Sequence, residues 1–232
     1  MCGEADYSYL EGHIIILGWQ GLRTQRMVEE ITHDVESTRR EIVVCTTKDI
    51  DNPMPTVVKF VRDTALSEKN LHVRAGTAGA AAIIALGHDD NDTLAAALAA
   101  ASHNEKGHLV AHFQQQAFAD LLTAHCPHAE AMVSSDTTML VRAAQDPGSS
   151  RVHHDLLSIM TGNTLLSVKM PATAASTTYG ELLATYKLKY DATIVAVADD
   201  AQGKGLTLNA PASKTIGPNQ VIYYIAEHRI AA

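Results

Sequence analysis

The hydrophobic pattern of this chain is set by its opening stretch, GHIIILGWQGLRTQRMVEE, from Gly12 to Glu30. His13 to Leu17 is a short run dominated by β-branched apolar residues, the pattern of a parallel strand covered on both faces. Gly18-Trp19-Gln20-Gly21 reads as a tight turn. Beyond it, Arg23, Thr24, Gln25 and Arg26 alternate with Leu22, Met27, Val28 and Ile31 at helical spacing, which predicts a helix to about His33. A strand that turns through glycine into a helix opens a βαβ unit, and that turn lies where such folds hold ligands.

The same alternation recurs along the chain. A charged loop is predicted over 34–40, a second strand over Glu41–Thr46 and a turn-rich link over Asp49–Pro55. A helix follows over Thr56–Thr64, then a short third strand over Leu71–Arg74 ending at Gly76. The fourth strand, Ala81–Leu86, comes almost at once. A parallel pair needs a crossover of about ten residues or more, and 75–80 is too short for one. The pattern therefore implies a segment missing between Thr77 and Ala78, or strands joined in another way. Helices are predicted over Thr93–Ser102, Gln115–His125 and Ser135–Ala144, with strands over Gly107–Phe113 and Ala129–Val133 between them. The cluster Asp146-Pro147-Gly148-Ser149-Ser150 marks a domain boundary. The tail changes character, with helices over Asp155–Met160 and Tyr179–Tyr186 and strands over Thr164–Met170, Thr193–Ala198 and Val221–Ala226. The whole predicts a 1–12 linker, a Rossmann-like doubly wound α/β domain over 13–148, and a small α+β domain over 149–232.

Composition narrows the function classes. The formal charge of −8 argues against a nucleic-acid surface as the main role, because phosphate neutralisation needs a basic face. Cys2, Cys45 and Cys126 are scattered and odd in number, which suits a reduced compartment and not a disulfide framework. The longest apolar helical run, Leu94–Ala101, falls far short of a membrane span, and no signal-peptide pattern opens the chain.

Candidate chemistry gathers at the predicted turns. A full dinucleotide fingerprint needs three glycines; here Gly18 and Gly21 are present, with Thr24 where the third would fall. Thr47 and Lys48 stand where a ribose-binding acid would close the second strand. The candidate cofactor-contacting residues are Gly18, Trp19, Gln20, Gly21, Arg23, Thr46, Thr47, Gly76, Thr77, Gly87 and His88. Asp89, Asp90 and Asp92 could gather a divalent cation or cap the helix that follows. The 12 histidines form no zinc-protease pattern but titrate near neutral pH. No nucleophile elbow or paired acid and base appears, so the chain is not expected to be an enzyme.

The order of these motifs resembles the RCK family (regulator of potassium conductance, TrkA-type). Three features carry the resemblance: GHIIILGWQ at the start; Ala81 to Leu86 followed by Asp89, Asp92 and Thr93; and the tail with Tyr179-Gly180-Glu181-Leu182 and Ile216-Gly217-Pro218-Asn219-Gln220-Val221. Members usually carry Gly-Asp after the third strand and then a helix; here Gly76 is followed by Thr77 and no helix is predicted. Where some members hold calcium on the fifth strand, this chain offers His112 and Gln114, so that site does not carry over. The resemblance implies a ligand-sensing regulatory domain that pairs, stacks into a ring and gates the membrane pore of a potassium or other cation channel or transporter. It places the chain in the cytoplasm at the inner face of the membrane, with an adenine nucleotide or a divalent cation as candidate ligand. The alternative is a soluble NAD(P)-dependent oxidoreductase of Rossmann type.

Overall fold

A computed structural model describes residues 5–34, 40–158, 160 and 162–230. Cys2 and most of the charged loop predicted over 34–40 lie outside the described residues. The chain divides into two units, Met1–Thr137 and Thr138–Ala232.

The first unit alternates β1 (Ile14–Leu17), α1 (Leu22–His33), β2 (Ile42–Thr46), β3 (Lys59–Arg62), α2 (Lys69–Arg74), β4 (Ala82–Ala85), α3 (Asp90–His103), β5 (His108–Phe113), α4 (Gln116–His125) and β6 (Glu130–Val133). The six strands form one sheet in the order β3-β2-β1-β4-β5-β6, and every neighbouring pair is parallel. This is the doubly wound Rossmann-like sheet, with its switch point between β1 and β4. β1 and β2 are buried along their whole length. Their alternate residues feed two cores. Ile15, Leu17, Val43 and Cys45 pack with Leu71, Ala96, Ala97, Ala100 and Leu122 of α2, α3 and α4. Ile16 and Val44 pack with Val28, Met27 and Ile31 of α1 on the opposite face. Burial pushes the Cys45 thiol up to about 12, so it sits in the core as an inert small hydrophobe.

The prediction between β2 and β4 is corrected. The segment expected to be a helix, 56–64, contains β3, and the segment expected to be the third strand, 71–74, lies in α2. Phe60 and Val61 are aromatic and β-branched and pair beside β2, while Lys59 and Arg62 suit the sheet edge. Leu71 and Ala75 are one helical turn apart and both fully buried, and Gly76, at φ 68°, takes the left-handed conformation that ends helices. No missing segment is needed. The crossover from β3 to β4 runs through α2 and a single 3-10 turn, Thr77–Gly79, with Gly79 N donating to Gly76 O at 3.0 Å and Ala80 N to Thr77 O at 3.2 Å. The acid expected after the third strand is Asp63, and the helix expected after it is α2.

Residues 5–12, read as a linker, are docked on this unit. Tyr7 N donates to Arg74 O at 2.7 Å and Gly12 N to Gly79 O at 2.8 Å, and Tyr7 and Leu10 pack on the core.

Asp136–Gln145 forms α5, and the division between the units falls within it. The second unit continues with α6 (Ser149–Leu157), β7 (Thr164–Lys169), β8 (Thr177–Thr178), α7 (Tyr179–Tyr190), β9 (Thr193–Ala198), β10 (Thr207–Leu208), β11 (Thr215–Ile216) and β12 (Val221–Ala226). Its antiparallel sheet runs β10-β9-β12-β7, beside the small pair β11-β8. α7 starts on a capping box in which Thr178 and Glu181 exchange side-chain-to-backbone hydrogen bonds. Leu182, Tyr186, Ile194, Ile222 and Tyr224 fill the core. This is the small α+β module read from the tail.

Two buried histidines stand at the N-terminal edge of the parallel sheet. His13 donates from Nε2 to Ala75 O at 2.9 Å. His72 meets Thr77 Oγ1 through Nδ1 at 3.1 Å and stacks on His103 with ring centroids 4.9 Å apart. Burial lowers both, and burial with the neighbouring His103 takes His72 to about 4. A histidine held neutral in the fold leaves stability whole above the unfolded value near 6.5 and removes it as pH falls below that value toward the folded one. Chemical denaturation at steps from pH 7.5 to 4.5 should therefore show stability level above about pH 6.5 and falling below it, with His72 contributing up to about 1.4 kcal/mol per pH unit and His13 adding in the same direction. His72→Gln should flatten part of that slope; an unchanged slope would remove His72 from the account.

Candidate functional site

The C-terminal edge of the parallel sheet is where doubly wound folds bind ligands. At its switch point, the turn after β1 rests directly on the turn after β4. Gly18 adopts φ 120°, and a side-chain carbon there would stand 1.8 Å from Leu86 O. Only glycine permits that contact. Gln20 then ties the two turns: its Nε2 donates to Gly87 O at 2.7 Å and lies 3.5 Å from Leu86 O. The fully buried Thr24 closes the first turn from below, its Oγ1 accepting from Gln20 N at 2.8 Å and donating to Gly18 O at 3.3 Å.

This geometry re-registers the fingerprint. Counted from Gly18, the glycine that needs the close approach, the second and third positions of G-x-G-x-x-G are Gln20 and Arg23, not Gly21 and Thr24. Gly21 caps α1 with φ 63° and open space beside it. Trp19 packs on the α1-side core, edge-on to Phe60.

The turn after β4 is closed by its own side chains. Gly87 N donates to Thr93 Oγ1 at 2.9 Å and His88 N to Asp92 Oδ2 at 2.8 Å. Asp89 caps α3 by accepting from Asp92 N at 2.9 Å. Asp90 is buried and reaches across to the turn after β5, its two oxygens accepting from Gln114 N at 2.9 Å and Gln115 N at 3.0 Å. The three carboxylates thus go to separate backbone partners, and no group of three or more His, Cys, Asp or Glu able to hold a metal occurs among the described residues.

After β2, Thr46 is buried and its Oγ1 accepts from Lys48 N at 3.1 Å; Thr47 and Lys48 are exposed. No acid stands where a ribose would be held, because Asp49, farther along, pairs with Arg62. The edge therefore gathers Gly18, Trp19, Gln20, Gly21, Arg23, Thr46, Thr47, Gly87 and His88. Gly76 and Thr77 do not join them. They precede β4 at the opposite edge, where Asn104 Nδ2 donates to Thr77 O at 2.8 Å. The error follows from the misplaced third strand: its true C-terminal end is Arg62, followed by Asp63, which holds the Arg74 guanidinium at 3.0 Å. The Thr64 backbone N–H and then the Arg74 side chain keep the Asp63 carboxyl below its usual value.

Sequence reasoning missed the clamp from Asp90 to Gln114 and Gln115, since no local spacing signals a bond across 24 residues. It also missed the character of His112, which faces the α1 side and is pushed below the usual histidine range by burial and then by Arg23. On that side, an open depression of about 550 Å³ lies along α1 over Ile84, lined also by Leu22, Arg26 and Met27. It shares Arg23 with the switch-point crevice.

No family model matches the chain, and no curated protein matches it. Among solved structures, the chain superposes on the human SLO3 gating ring with a TM-score of 0.67 at 14% identity, covering 94% of this chain and 44% of that one. The architecture is that of an RCK domain. A second RCK-fold match, the GsuK structure bound to ADP, has a TM-score of 0.51 at 16% identity and covers 62% of this chain and 37% of that one. The chain thus spans less than half the length of either structure, and at these identities the likeness is one of fold. The SLO3 match extends through the RCK-like tail as well as the sheet.

Asp90→Ala should test the clamp. It leaves two backbone N–H groups without their acceptor, which costs about 2–6 kcal/mol at roughly 1–3 kcal/mol for each group that stays dry. Urea melts should show that loss, with Asp90→Asn retaining part of the stability. A loss below about 0.5 kcal/mol would mean that water replaces the carboxylate.

Proposed function

We propose that this chain is a regulatory RCK module that self-associates and controls the pore of a potassium or other cation channel or transporter. The observation that carries this reading is a pair of helices with no apolar cover. Neither α5 nor α6 has a buried residue, yet Leu140, Val141, Val152 and Leu157 are 50–73% exposed. Large apolar side chains left exposed together on a helix point to an interaction surface. The half-sheet on the α1 side points the same way, since Ile84, Val110 and Met132 of β4, β5 and β6 keep partial or full exposure there. The resemblance in fold to a gating ring makes copies of this chain the fitting cover.

The module acts as a regulator in this reading, and its candidate crevice is built of backbone ties and helix caps. Its signal is a small ligand, and the GsuK structure bound to ADP supports an adenine-bearing one without fixing its phosphate content. A ligand acts by binding one arrangement of the ring more tightly than another, and that difference in affinity is what moves the pore. No helix among the described residues is long and apolar enough to cross a membrane, so the pore belongs to a partner or to another part of a longer protein. The module works in the cytoplasm against the inner face of that membrane.

Light scattering of the purified chain should give a mass of at least a dimer at micromolar concentration. Leu140→Asp with Leu157→Asp should reduce the assembly while leaving monomer melting within about 0.5 kcal/mol, as expected for exposed positions. A monomer at high concentration, or an assembly indifferent to both substitutions, would overturn the reading.

A further inference from the structure

The doubly wound fold implies a dinucleotide at its switch point, and the residues present do not fit one. In the dinucleotide-binding form of this turn, the second glycine lets the backbone come up against the pyrophosphate. Here that position is Gln20. Its side chain crosses the crevice and is anchored 2.7 Å from Gly87 O. The backbone donors on the far side are already engaged: Gly87 N by Thr93, His88 N by Asp92 and Asp92 N by Asp89. The carboxylates of Asp89 and Asp92 also bring negative charge to the place a second phosphate would approach. Thr47 and Lys48 stand where the ribose acid belongs.

We infer that Gln20 is a specificity-determining residue that occupies the pyrophosphate position and excludes diphosphate-bearing nucleotides, NAD(H) and ADP alike, from the crevice. The inference narrows the ligand class of the proposed sensing site and rests on that reading for the location of the site. It makes the Gln20 amide an internal tie between the turns after β1 and β4, in place of the ligand that bridges them elsewhere in this fold class.

The test is thermal melting of the full chain and of Gln20→Gly against inorganic pyrophosphate, ADP and NADH at millimolar concentration. Inorganic phosphate serves as the ionic control, and Gln20→Ala is the second variant should the glycine not fold. The expected result is a wild-type melting temperature that does not move beyond the phosphate control, and a saturable rise of several degrees for the variant with pyrophosphate and ADP. A saturable rise in the wild type with any of the diphosphates would overturn the inference. So would a folded variant that stays silent to all of them, since Gln20 would then not be what excludes them. Neither result bears on whether the chain assembles, so failure here is distinct from failure of the regulatory reading, which shows as a monomer.

Discussion

Two backbone turns meet at Gly18 and Leu86 with no room for a side-chain carbon between them. β1 and β4 run side by side, Leu17 opposite Ala85, and from their ends the chain winds toward opposite edges of the sheet. Both turns must therefore leave the sheet through the same small space. Glycine at Gly18 permits the contact, and two threonine hydroxyls then satisfy the backbone groups it strands, Thr24 beneath the first turn and Thr93 beneath the second. The starting points of α1 and α3 follow from this meeting, and with them the faces on which the two cores of the unit form.

The charged residues around this point serve the backbone more than one another. Asp89, Asp90 and Asp92 take N–H groups from their own turn and from the turn after β5, so a cluster that looks like a cation site in one dimension is a set of separate locks in three. Asp90 matters most because it is buried and joins elements that the sequence keeps far apart. Burying a carboxylate is costly unless donors meet it, and here two backbone N–H groups do. The opposite edge solves its own problem with Asn104. Its amide donates to Thr77 O and Ala80 O and accepts from Lys106 N and Gly107 N, so all four contacts are backbone groups.

Much of the fold was legible because buried parallel strands have a strong signature. Ile14–Leu17, Ile42–Thr46 and His108–Phe113 read correctly from β-branched or alternating apolar runs, and the tail read correctly as a different kind of module. Smaller misses fell on α6, which begins at Ser149 within the stretch read as a boundary, and on the docked residues 5–12; the main failure lay between β2 and β4. β3 is an edge strand, so Lys59 and Arg62 interrupt its apolar run, and α2 is only 6 residues long, too short to show a helical period. Exchanging the two created an apparent gap at Thr77 and placed Gly76 and Thr77 at the wrong edge. In the candidate site, glycine positions were visible but their register was not. Whether Gly18 or another glycine anchors the fingerprint depends on contact with Leu86, a residue 68 positions away in the chain. The Gln20 tie was hidden for the same reason.

The docking of residues 5–12 has a mechanical consequence. Tyr7 and Gly12 are bonded to Arg74 and Gly79, at the edge of the sheet opposite the crevice. Tension applied along this segment would pass along the covalent chain through Gly12 and His13 into β1, and those hydrogen bonds would share part of it with the turn that feeds β4. The two strands lie side by side, Ile14 opposite Ala82 and Leu17 opposite Ala85, and both end where the two turns meet. Strands loaded lengthwise within a parallel sheet resist by shearing their hydrogen bonds together and not one at a time, so the anchored segment and the crevice stand at the two ends of one stiff element.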